Sequence, residues 1–523
     1  MPDSAAPLLA YKEASLPLPA SYRRWHLYGA GLENVGRDGR PEEIELPSPG
    51  PDELLVRHDA CGICYSDIKI INLGGDHPRL VGRDLNRNPV VMGHEVALTV
   101  VAVGSNLTEQ VRIGERYIVQ ADIYYKGVNL AYGYALSGGM SEYGLIGPEV
   151  LRGDEGNYLL PIAGETGYAE AALVEPWACV EAAYHWHTPE FPTPDEPHIP
   201  LDVPGASAIG HGNPPVFQWL RFTEPPDPDD FERLTARLAR PSICRLEFAE
   251  PLSRPVRVDI GRIHYDGLFF VGPKENHRSE LKAGGTAWFI GTAGPMGMMH
   301  VQRALSLPHP PRRLIGTDRN DDRIAALKDR FGPLAEERGV ELLLFNVRTE
   351  GLPDLNLLAP NGFDDIVVMV PSIPAIEEAY PYLGQDGVMN VFAGVARGTT
   401  ATLDIYDIVA RNVRIVGTSG STIADMRMVR DKLESGQLDT GASVAAIGGL
   451  DAFREGLDAV RGSRFPGKTV IFPHIPDLPL TALSALKEVR PAVYARLKEG
   501  RFWTREAEEE LIRESLPTER EAR

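Results

Sequence analysis

Short apolar runs separated by glycine and proline mark the first 185 residues. The runs are too short for helices and rich in valine and isoleucine, which favours β-strands. Apolar residues at helical spacing follow over 169–184, where Pro176 suits a helix start. The pattern predicts a small, partly open barrel with strands at 54–56, 90–92, 96–103, 116–120 and 142–146.

A second pattern begins at Leu281, where buried-type strands alternate with helical segments. The strand at 286–290 leads into a glycine-rich turn and a helix through Leu305. Such alternation is typical of a parallel sheet with helices on its faces. We therefore predict a doubly wound parallel sheet, with further strands at 314–317, 342–345, 366–370, 388–392 and 413–416.

The segment between these two patterns, 187–280, has a different composition. Proline is dense from Pro189 to Pro228, which favours extended, irregular chain. The run 263–270 carries Asp266-Gly267 between apolar residues, a β-hairpin signal. We predict a long insertion with some β-structure, whose role is either to alter substrate specificity or to serve as an oligomer contact or surface decoration. The charged, amphipathic tail 481–523 predicts helix from Thr504.

Length and composition narrow the class of protein. At 523 residues the chain predicts two or three domains. A net charge of −20 argues against nucleic acid or an anionic membrane as partner, because both attract basic patches. Four unevenly spaced cysteines do not form a disulfide framework, which indicates a reducing, cytoplasmic location. We find neither a secretory signal nor a run approaching the ~20 apolar residues of a membrane span.

The stretch from Cys61 to Glu95 carries candidate metal ligands. A catalytic zinc site uses three protein ligands and leaves one position for water or substrate. Cys64, His94, Glu95 and Glu175 offer the thiolate, imidazole and carboxylates that such a site needs. Taken singly, Cys64 or His94 is more often a structural residue. Together they predict a catalytic metal centre.

The turn after the strand at 286–290 predicts a dinucleotide site. Glycine allows the backbone to approach a pyrophosphate, which then lies on the helix N-terminus. In the usual G-x-G-x-x-G motif the first glycine would stand at Thr292, and Gly291 comes one place earlier. Asp318, about 20 residues on, favours NAD because its charge repels a 2′-phosphate, whereas Arg319 leaves NADP possible. The candidate cofactor-binding residues are Gly291, Thr292, Gly294, Pro295, Met296, Gly297, Asp318 and Arg319.

Five motifs together resemble the medium-chain zinc dehydrogenase/reductase family, in its polyol dehydrogenase branch. Further strings at 114–120, 362–365 and 416–420 resemble the L-sorbose 1-phosphate reductases of that branch more narrowly. The resemblance covers about 25–185 and 281–475. The five motifs are Cys64-Tyr-Ser-Asp67, Gly93-His-Glu95, Gly138-Gly-Met-Ser-Glu-Tyr143, Glu175-Pro176 and Gly294-Pro-Met-Gly297.

The resemblance implies a role for each candidate site residue. Cys64 and His94 would bind zinc, with Glu95 or Glu175 as the third ligand. Asp67 would orient His94, as the partner of a ligating histidine usually does. Ser66 would hydrogen-bond the substrate hydroxyl. Many relatives end the proton path with a histidine five positions past the thiolate, where this chain has Lys69.

The resemblance also implies the architecture and the number of metal ions. A GroES-like β-barrel catalytic domain would span 23–186, completed by about 420–480, and a Rossmann NAD(P)-binding domain would span 281–419. Many relatives bind a structural zinc with four cysteines, but residues 121–137 contain none. We therefore expect one zinc per chain. Relatives are dimers or tetramers, so we expect a homo-oligomer.

The function expected from these features is reversible hydride transfer between a nicotinamide cofactor and a secondary alcohol or ketone. The substrate would be a small molecule: a polyol, a ketose or a sugar phosphate. One alternative keeps the chemistry but acts on an aminocyclitol or a hydrophobic alcohol. An alternative of another class is a non-catalytic NAD(H)-binding sensor, which the presence of Ser66 and all the candidate ligands disfavours.

Overall fold

The computed structural model describes residues 5–80, 82–186, 201–274, 278–475 and 477–516. Within these ranges no helix is long and apolar enough to cross a membrane. The described chain forms two compact units, one of residues 1–179 and 421–523 and the other of residues 180–420.

The first unit contains the strands predicted at 54–56, 96–103, 116–120 and 142–146, but the strand predicted at 90–92 is wrong, since only Val90 pairs there, in an isolated bridge with Leu27. Strand β3 (Leu54–Ile63) is buried along its whole length within a barrel-like sheet. The strand order of this sheet is β24 (Thr481–Ala482), β22 (Val444–Gly449), β23 (Lys468–Phe472), β3, β4 (Glu95–Val103), β5 (Arg116–Val119) and β9 (Leu159–Pro161). The predicted helix at 169–184 is divided at Leu173. The elements are α1 (Ala5–Lys12), β1 (Ser21–Arg24), β2 (Glu42–Glu45), β3 (Leu54–Ile63), α2 (Tyr65–Leu73), β4 (Glu95–Val103), β5 (Arg116–Val119), β6 (Tyr124–Tyr125), β7 (Val128–Asn129), β8 (Tyr143–Ile146), α3 (Pro148–Leu151), β9 (Leu159–Pro161), α4 (Tyr168–Ala172), α5 (Val174–Ala182), and later β22 to β24, whose bounds are given below.

The second unit contains the predicted doubly wound sheet, which is confirmed. Its parallel core has the order β21-β19-β18-β15-β16-β17, which is the Rossmann arrangement. The elements are β10 (Ala206–His211), β11 (Val216–Phe222), α6 (Pro228–Thr235), β12 (Leu238–Leu246), β13 (Val256–Asp259), α7 (Ile260–Asp266), β14 (Leu268–Val271), β15 (Thr286–Ile290), α8 (Pro295–Ser306), β16 (Arg313–Asp318), α9 (Asp321–Glu337), β17 (Glu341–Asn346), α10 (Leu355–Leu358), β18 (Phe363–Val368), α11 (Ile373–Ala379), β19 (Leu383–Val391), β20 (Thr400–Leu403), α12 (Tyr406–Ala410) and β21 (Arg414–Val416).

The insertion continues this sheet. Strands β10, β11, β12 and β14 are hydrogen-bonded in that order, and β14 pairs with β21, so the sheet has ten strands. The prediction of a hairpin at 263–270 is wrong. Helix α7 ends at Asp266, and Gly267 at φ +60° is its left-handed C-cap, a conformation that a hairpin turn would also require. The dense proline from Pro189 to Pro200 lies outside the described residues.

The chain returns to the first unit at Ser421. Strand β23 pairs with β3 and closes the sheet from the far end of the sequence. Thr504 caps the last helix by accepting a hydrogen bond from the Ala507 amide, as predicted. The elements are α13 (Ile423–Glu434), β22 (Val444–Gly449), α14 (Phe453–Arg461), β23 (Lys468–Phe472), β24 (Thr481–Ala482), α15 (Leu486–Val489), α16 (Pro491–Tyr494) and α17 (Arg505–Ser515).

Candidate active site

Cys64 occupies the junction between strand β3 and helix α2. It is the N-cap of α2, and its amide donates to Asp67 Oδ2 at 2.9 Å. This capping contact fixes the first turn of the helix. Ser66 lies in that turn, with its Oγ 3.5 Å from Cys64 Sγ. The junction therefore places the thiol and the hydroxyl side by side.

Antiparallel pairing brings His94 and Glu95 to the same place. Gly62, near the end of β3, is opposite Glu95 at the start of β4. Gly93 has φ +97°, and a Cβ there would lie 2.7 Å from Cys61 Sγ. Only glycine combines that backbone conformation with so close an approach. The backbone conformation at Gly93 thus directs the two following residues, His94 and Glu95, toward Cys64.

The three predicted ligands Cys64, His94 and Glu95 converge. One ligand atom from each lies within 4.8 Å of the other two. His94 Nδ1 is 3.7 Å from Asp67 Oδ1, which leaves the other ring nitrogen for a metal. Glu95 Oε2 is buried, and no hydrogen-bond donor among the described residues reaches it. A thiol, an imidazole and an unsatisfied carboxylate oxygen fit a zinc ion.

The electrostatics of the cluster depend on burial and on neighbouring charges. Burial lowers the pKa of His94, but Asp67 and Cys64 outweigh it and raise that pKa. Lys468, from β23, is an unpredicted member of the site: its ammonium donates to Glu95 Oε1 and, at 3.3 Å, to the Ile63 carbonyl. Burial opposes its charge, yet Glu95 and Cys64 raise the pKa of Lys468, so it stays protonated.

Glu175 lies outside the three-residue cluster but in the same environment. Its pKa is raised to about 7 in all: burial raises the pKa most, His94 lowers it and Glu95 raises it. Cys179 Sγ, one turn along α5, is 3.8 Å from Glu175 Oε1. Of the two carboxylates that the sequence leaves open as third ligand, the structure brings Glu95 into the cluster and leaves Glu175 beside it.

Cationic side chains adjoin the ligand cluster around Tyr134. The Tyr134 ring lies 5.8 Å from the His94 ring and 5.4 Å from the His77 ring. The Arg79 guanidinium stands over the Tyr134 ring at 5.0 Å and forms an ion pair with Asp122 at 2.6 Å. Burial, Arg79 and Lys69 together lower the pKa of His77 to about 4. Lys69, which is exposed on α2, was among the predicted site residues. His77, Arg79, Asp122 and Tyr134 were not predicted, because no sequence motif contains them.

The predicted dinucleotide loop occupies the turn between β15 and α8. Gly291 has φ +85°, and a Cβ there would lie 2.5 Å from Val370. Thr292 takes the place of the first glycine of the motif, and its buried hydroxyl donates to the Phe289 carbonyl at 2.6 Å. A Cβ on Gly297 would lie 2.3 Å from the Thr292 carbonyl, so the helix packs closely on the turn. Pro295 and Met296 form the first turn of α8, whose N-cap Gly294 brings no side chain to its amides. Those amides can therefore receive a pyrophosphate.

Asp318 ends strand β16, as predicted, and both its oxygens are engaged. Oδ2 accepts from the Ala293 amide at 3.0 Å and Oδ1 from the Arg319 amide at 2.7 Å. Arg323, on the first turn of α9, contacts Oδ2 at 3.1 Å and the Ala293 carbonyl at 3.0 Å. Arg319 itself is exposed. Arg323 is the residue that sequence reasoning missed, because it follows Asp318 by five positions rather than one.

Comparison with known proteins agrees with this geometry. Residues 50–182 match the alcohol dehydrogenase GroES-like domain, a range that contains Cys64, His94, Glu95 and Glu175. Mannitol-1-phosphate 5-dehydrogenase of Aliivibrio fischeri is 28% identical over 91% of this chain and 95% of its own. These matches support the resemblance to the medium-chain polyol dehydrogenase family. The predicted resemblance and the predicted GroES-like and Rossmann fold are both confirmed.

One further relative and one solved structure are also similar to this chain. L-sorbose 1-phosphate reductase of Klebsiella pneumoniae is 26% identical over 91% of this chain and 95% of its own. The solved structure of acetophenone reductase from Geotrichum candidum in complex with NAD covers 87% of this chain and 98% of its own, with a TM-score of 0.53 and 16% identity. That similarity supports the medium-chain dehydrogenase fold.

Proposed function

We propose that this polyol dehydrogenase relative is a zinc-dependent enzyme that transfers a hydride between a nicotinamide cofactor and a polyol, ketose or sugar phosphate. The matched GroES-like domain and the relatives that span most of the chain support an oxidoreductase of the alcohol dehydrogenase kind. The observation that carries the zinc dependence is the convergence of Cys64, His94 and Glu95. One buried oxygen of Glu95 has no hydrogen-bond donor among the residues that the structure describes.

In this proposal the side chains of the cluster hold the metal and move a proton. Cys64, His94 and Glu95 bind zinc, Asp67 orients His94, and Lys468 holds the second oxygen of Glu95. A zinc ion there supplies Lewis-acid polarisation of the substrate oxygen. Ser66 lies within 3.5 Å of the thiol and accepts the substrate proton through its hydroxyl. Lys69, exposed on the same helix, stands where that proton reaches solvent.

The glycine loop and Asp318 hold the cofactor. A nicotinamide dinucleotide supplies hydride acceptor and donor chemistry, and the protein supplies its position. The amides of α8 receive the pyrophosphate, and Asp318 faces the ribose of the adenosine half. We propose NAD as the preferred cofactor. NADP can also bind in this proposal, because Arg323 and Arg319 lie beside Asp318 and can pair with a 2′-phosphate.

The cations around Tyr134 favour a phosphorylated substrate. Two relatives that span nearly the whole chain are named for sugar phosphates, mannitol 1-phosphate and L-sorbose 1-phosphate. Arg79 pairs with Asp122 through one of its nitrogens, and a guanidinium has further donors for a phosphate oxygen. Lys69 adds a second cation near His77. Binding of a phosphate group there would place the carbon chain of the substrate toward His94.

The substrate proposal is tested with matched phosphorylated and unphosphorylated polyols. We expect purified protein to oxidise mannitol 1-phosphate with a KM at least about tenfold below that for mannitol. Arg79→Ala should raise the KM for mannitol 1-phosphate about tenfold and leave that for mannitol unchanged. Equal KM values for both polyols in the wild type would contradict the proposal.

Arg152→Ala is the matched control for this experiment. Arg152 also pairs with an aspartate, Asp52, at 3.1 Å. Asp52 precedes strand β3 and Cys64 follows it, so the pair lies roughly 30 Å from the cluster. This control should change neither KM. The proposal also includes a cytoplasmic location, which the few, unevenly spaced cysteines favour, and a homodimer or homotetramer, which the resemblance implies.

A further inference from the structure

The insertion reverses direction where it joins the Rossmann sheet. Strand β14 runs antiparallel to β21, whereas β21, β19 and β18 are mutually parallel. The amino end of β14 therefore lies at the carboxyl edge of the parallel strands. Helix α7 ends at Asp266, and Gly267 alone separates it from the start of that strand at Leu268. In open α/β sheets, ligands bind at the carboxyl edge, so the insertion delivers α7 to the ligand-binding edge.

The part of that edge next to α7 belongs to the nicotinamide half of the cofactor site. A Rossmann sheet consists of two mononucleotide-binding halves. The glycine turn after β15 and Asp318 at the end of β16 form the adenosine half. By elimination, the loops after β18, β19 and β21 receive the nicotinamide half. Helix α7 contacts the loop after β19, residues 392–399, and also approaches Gly417, directly after β21, through Ile263.

Close packing joins α7 to this loop. A Cβ on Gly261 would lie 2.3 Å from the Ala396 carbonyl oxygen. A Cβ on Gly394 would lie 2.5 Å from His264 and 2.6 Å from the Tyr265 hydroxyl. His264 Nδ1 is 3.3 Å from the carbonyl oxygen of Val391, the last residue of β19. Neither glycine has room for a side chain, so a shift of the helix would move the loop.

Polar contacts fix the same two elements. The Arg397 guanidinium donates to Asp266 Oδ1 at 2.8 Å and stands over the Tyr265 ring at 5.1 Å. The Gly398 amide donates to Asp259 Oδ2 at 2.9 Å, at the other end of α7. The Asp266 side chain is 1% exposed and also accepts from Arg262 at 3.0 Å. Two adjacent residues near the end of the loop are thus hydrogen-bonded to the two ends of the helix.

We infer that helix α7 of the insertion is a cofactor-positioning element, which holds the 392–399 loop in the shape that binds the nicotinamide half of the dinucleotide. The inference rests on the proposed use of a nicotinamide cofactor. It assigns the insertion a role in cofactor affinity. Gly261, Asp266 and Arg397 act through the loop and are positioning residues.

Equilibrium binding of NADH to the full chain tests this role without any substrate. We expect Gly261→Val to raise the Kd for NADH, measured by fluorescence titration, at least tenfold, because its side chain displaces Ala396. Arg397→Ala should raise it several-fold, and Arg397→Lys, which can keep the ion pair with Asp266, should recover most of the affinity. Thermal unfolding followed by circular dichroism shows whether each variant is folded.

Glu232→Ala is the control within the insertion. Glu232 on α6 accepts from Arg257 at 2.6 Å and Arg254 at 2.9 Å, so its loss removes insertion contacts of comparable strength. It should lower the unfolding temperature and leave the Kd for NADH unchanged. The inference is overturned if folded Gly261→Val and Arg397→Ala bind NADH as the wild type does, or if Glu232→Ala weakens binding as much as they do. Wild-type protein that binds no NADH would overturn both the inference and the proposed function.

Discussion

Lys468 changes the charge of the proposed metal centre. A Cys64 thiolate and the Glu95 carboxylate bring two negative charges to the site, and the buried lysine offsets one of them. With a divalent ion in place the local charge would be positive, which stabilises a substrate alkoxide over the neutral alcohol in a site of low polarity. Lys468 follows Glu95 by 373 residues, so no local pattern could reveal it.

The two candidate carboxylates should differ in their effect on metal content. Glu95 contributes to the three-atom cluster and Glu175 does not. We expect Glu95→Gln to lower the zinc content of purified protein, measured by atomic emission, to well below half of one ion per chain. Glu175→Gln, the same substitution at the neighbouring carboxyl group, should retain near-stoichiometric zinc. The reverse order would assign the third ligand to Glu175.

Ser66 should affect turnover but not the metal. Its hydroxyl neighbours the thiol at 3.5 Å and takes the substrate proton in the proposed function. Loss of a general acid–base group costs ~100-fold or more in rate. We expect Ser66→Ala to lower kcat about 100-fold at unchanged zinc content. A kcat within twofold of the wild type would remove Ser66 from the proton path.

Helix α17 carries a buried carboxylate that caps another helix. Glu508 Oε1 and Oε2 accept from the amides of Tyr168 and Ala169 at 2.5 and 2.8 Å, at the start of α4. A carboxylate at a helix N-terminus is favourable, yet burial dominates and raises the pKa of Glu508 to about 7. The folded protein thus keeps a proton that the unfolded chain releases near pH 4.5.

This group should make the protein less stable as pH rises. Because the folded-state pKa is raised, its stabilising contribution is complete below pH 4.5 and is lost as pH approaches 7. We expect the free energy of unfolding to fall by up to about 3 kcal/mol from this group alone. Glu508→Gln keeps an acceptor and cannot titrate. Urea titrations at pH 4.5 and 7.5 should show a smaller pH dependence for the variant, and equal dependence would contradict the assignment.

Elements with strong periodicity followed from the sequence, and elements defined by tertiary context did not. The strands and helices around the glycine turn were predictable because apolar residues recur at different spacings in strands and in helices. Each of these segments is long enough to reveal its spacing. The hairpin prediction at Asp266-Gly267 was wrong because a hairpin turn and a helix C-cap both require a residue at positive φ, and the sequence does not distinguish them. Only the packing of Ile263 and Ile260 in the core selects the helix.

At the scale of the whole molecule, the chain leaves its first unit at residue 180 and returns at 421. Motifs identified Cys64, His94 and Glu95 because their partners lie within about thirty residues along the chain. Lys468 and Glu508 contribute to the same unit from beyond position 421, and Arg79 meets Asp122 and Tyr134 through folding alone. Residues that hold or tune a site from distant segments carry no sequence signature.

The central claim is that turnover depends on a metal held by Cys64, His94 and Glu95. The most direct test follows NADH formation from NAD and mannitol 1-phosphate before chelation, after removal of the metal and after return of one equivalent of zinc. We expect activity to disappear with the metal and to return with zinc in the wild type but not in Cys64→Ser. Undiminished turnover by protein shown to be free of metal would contradict the account.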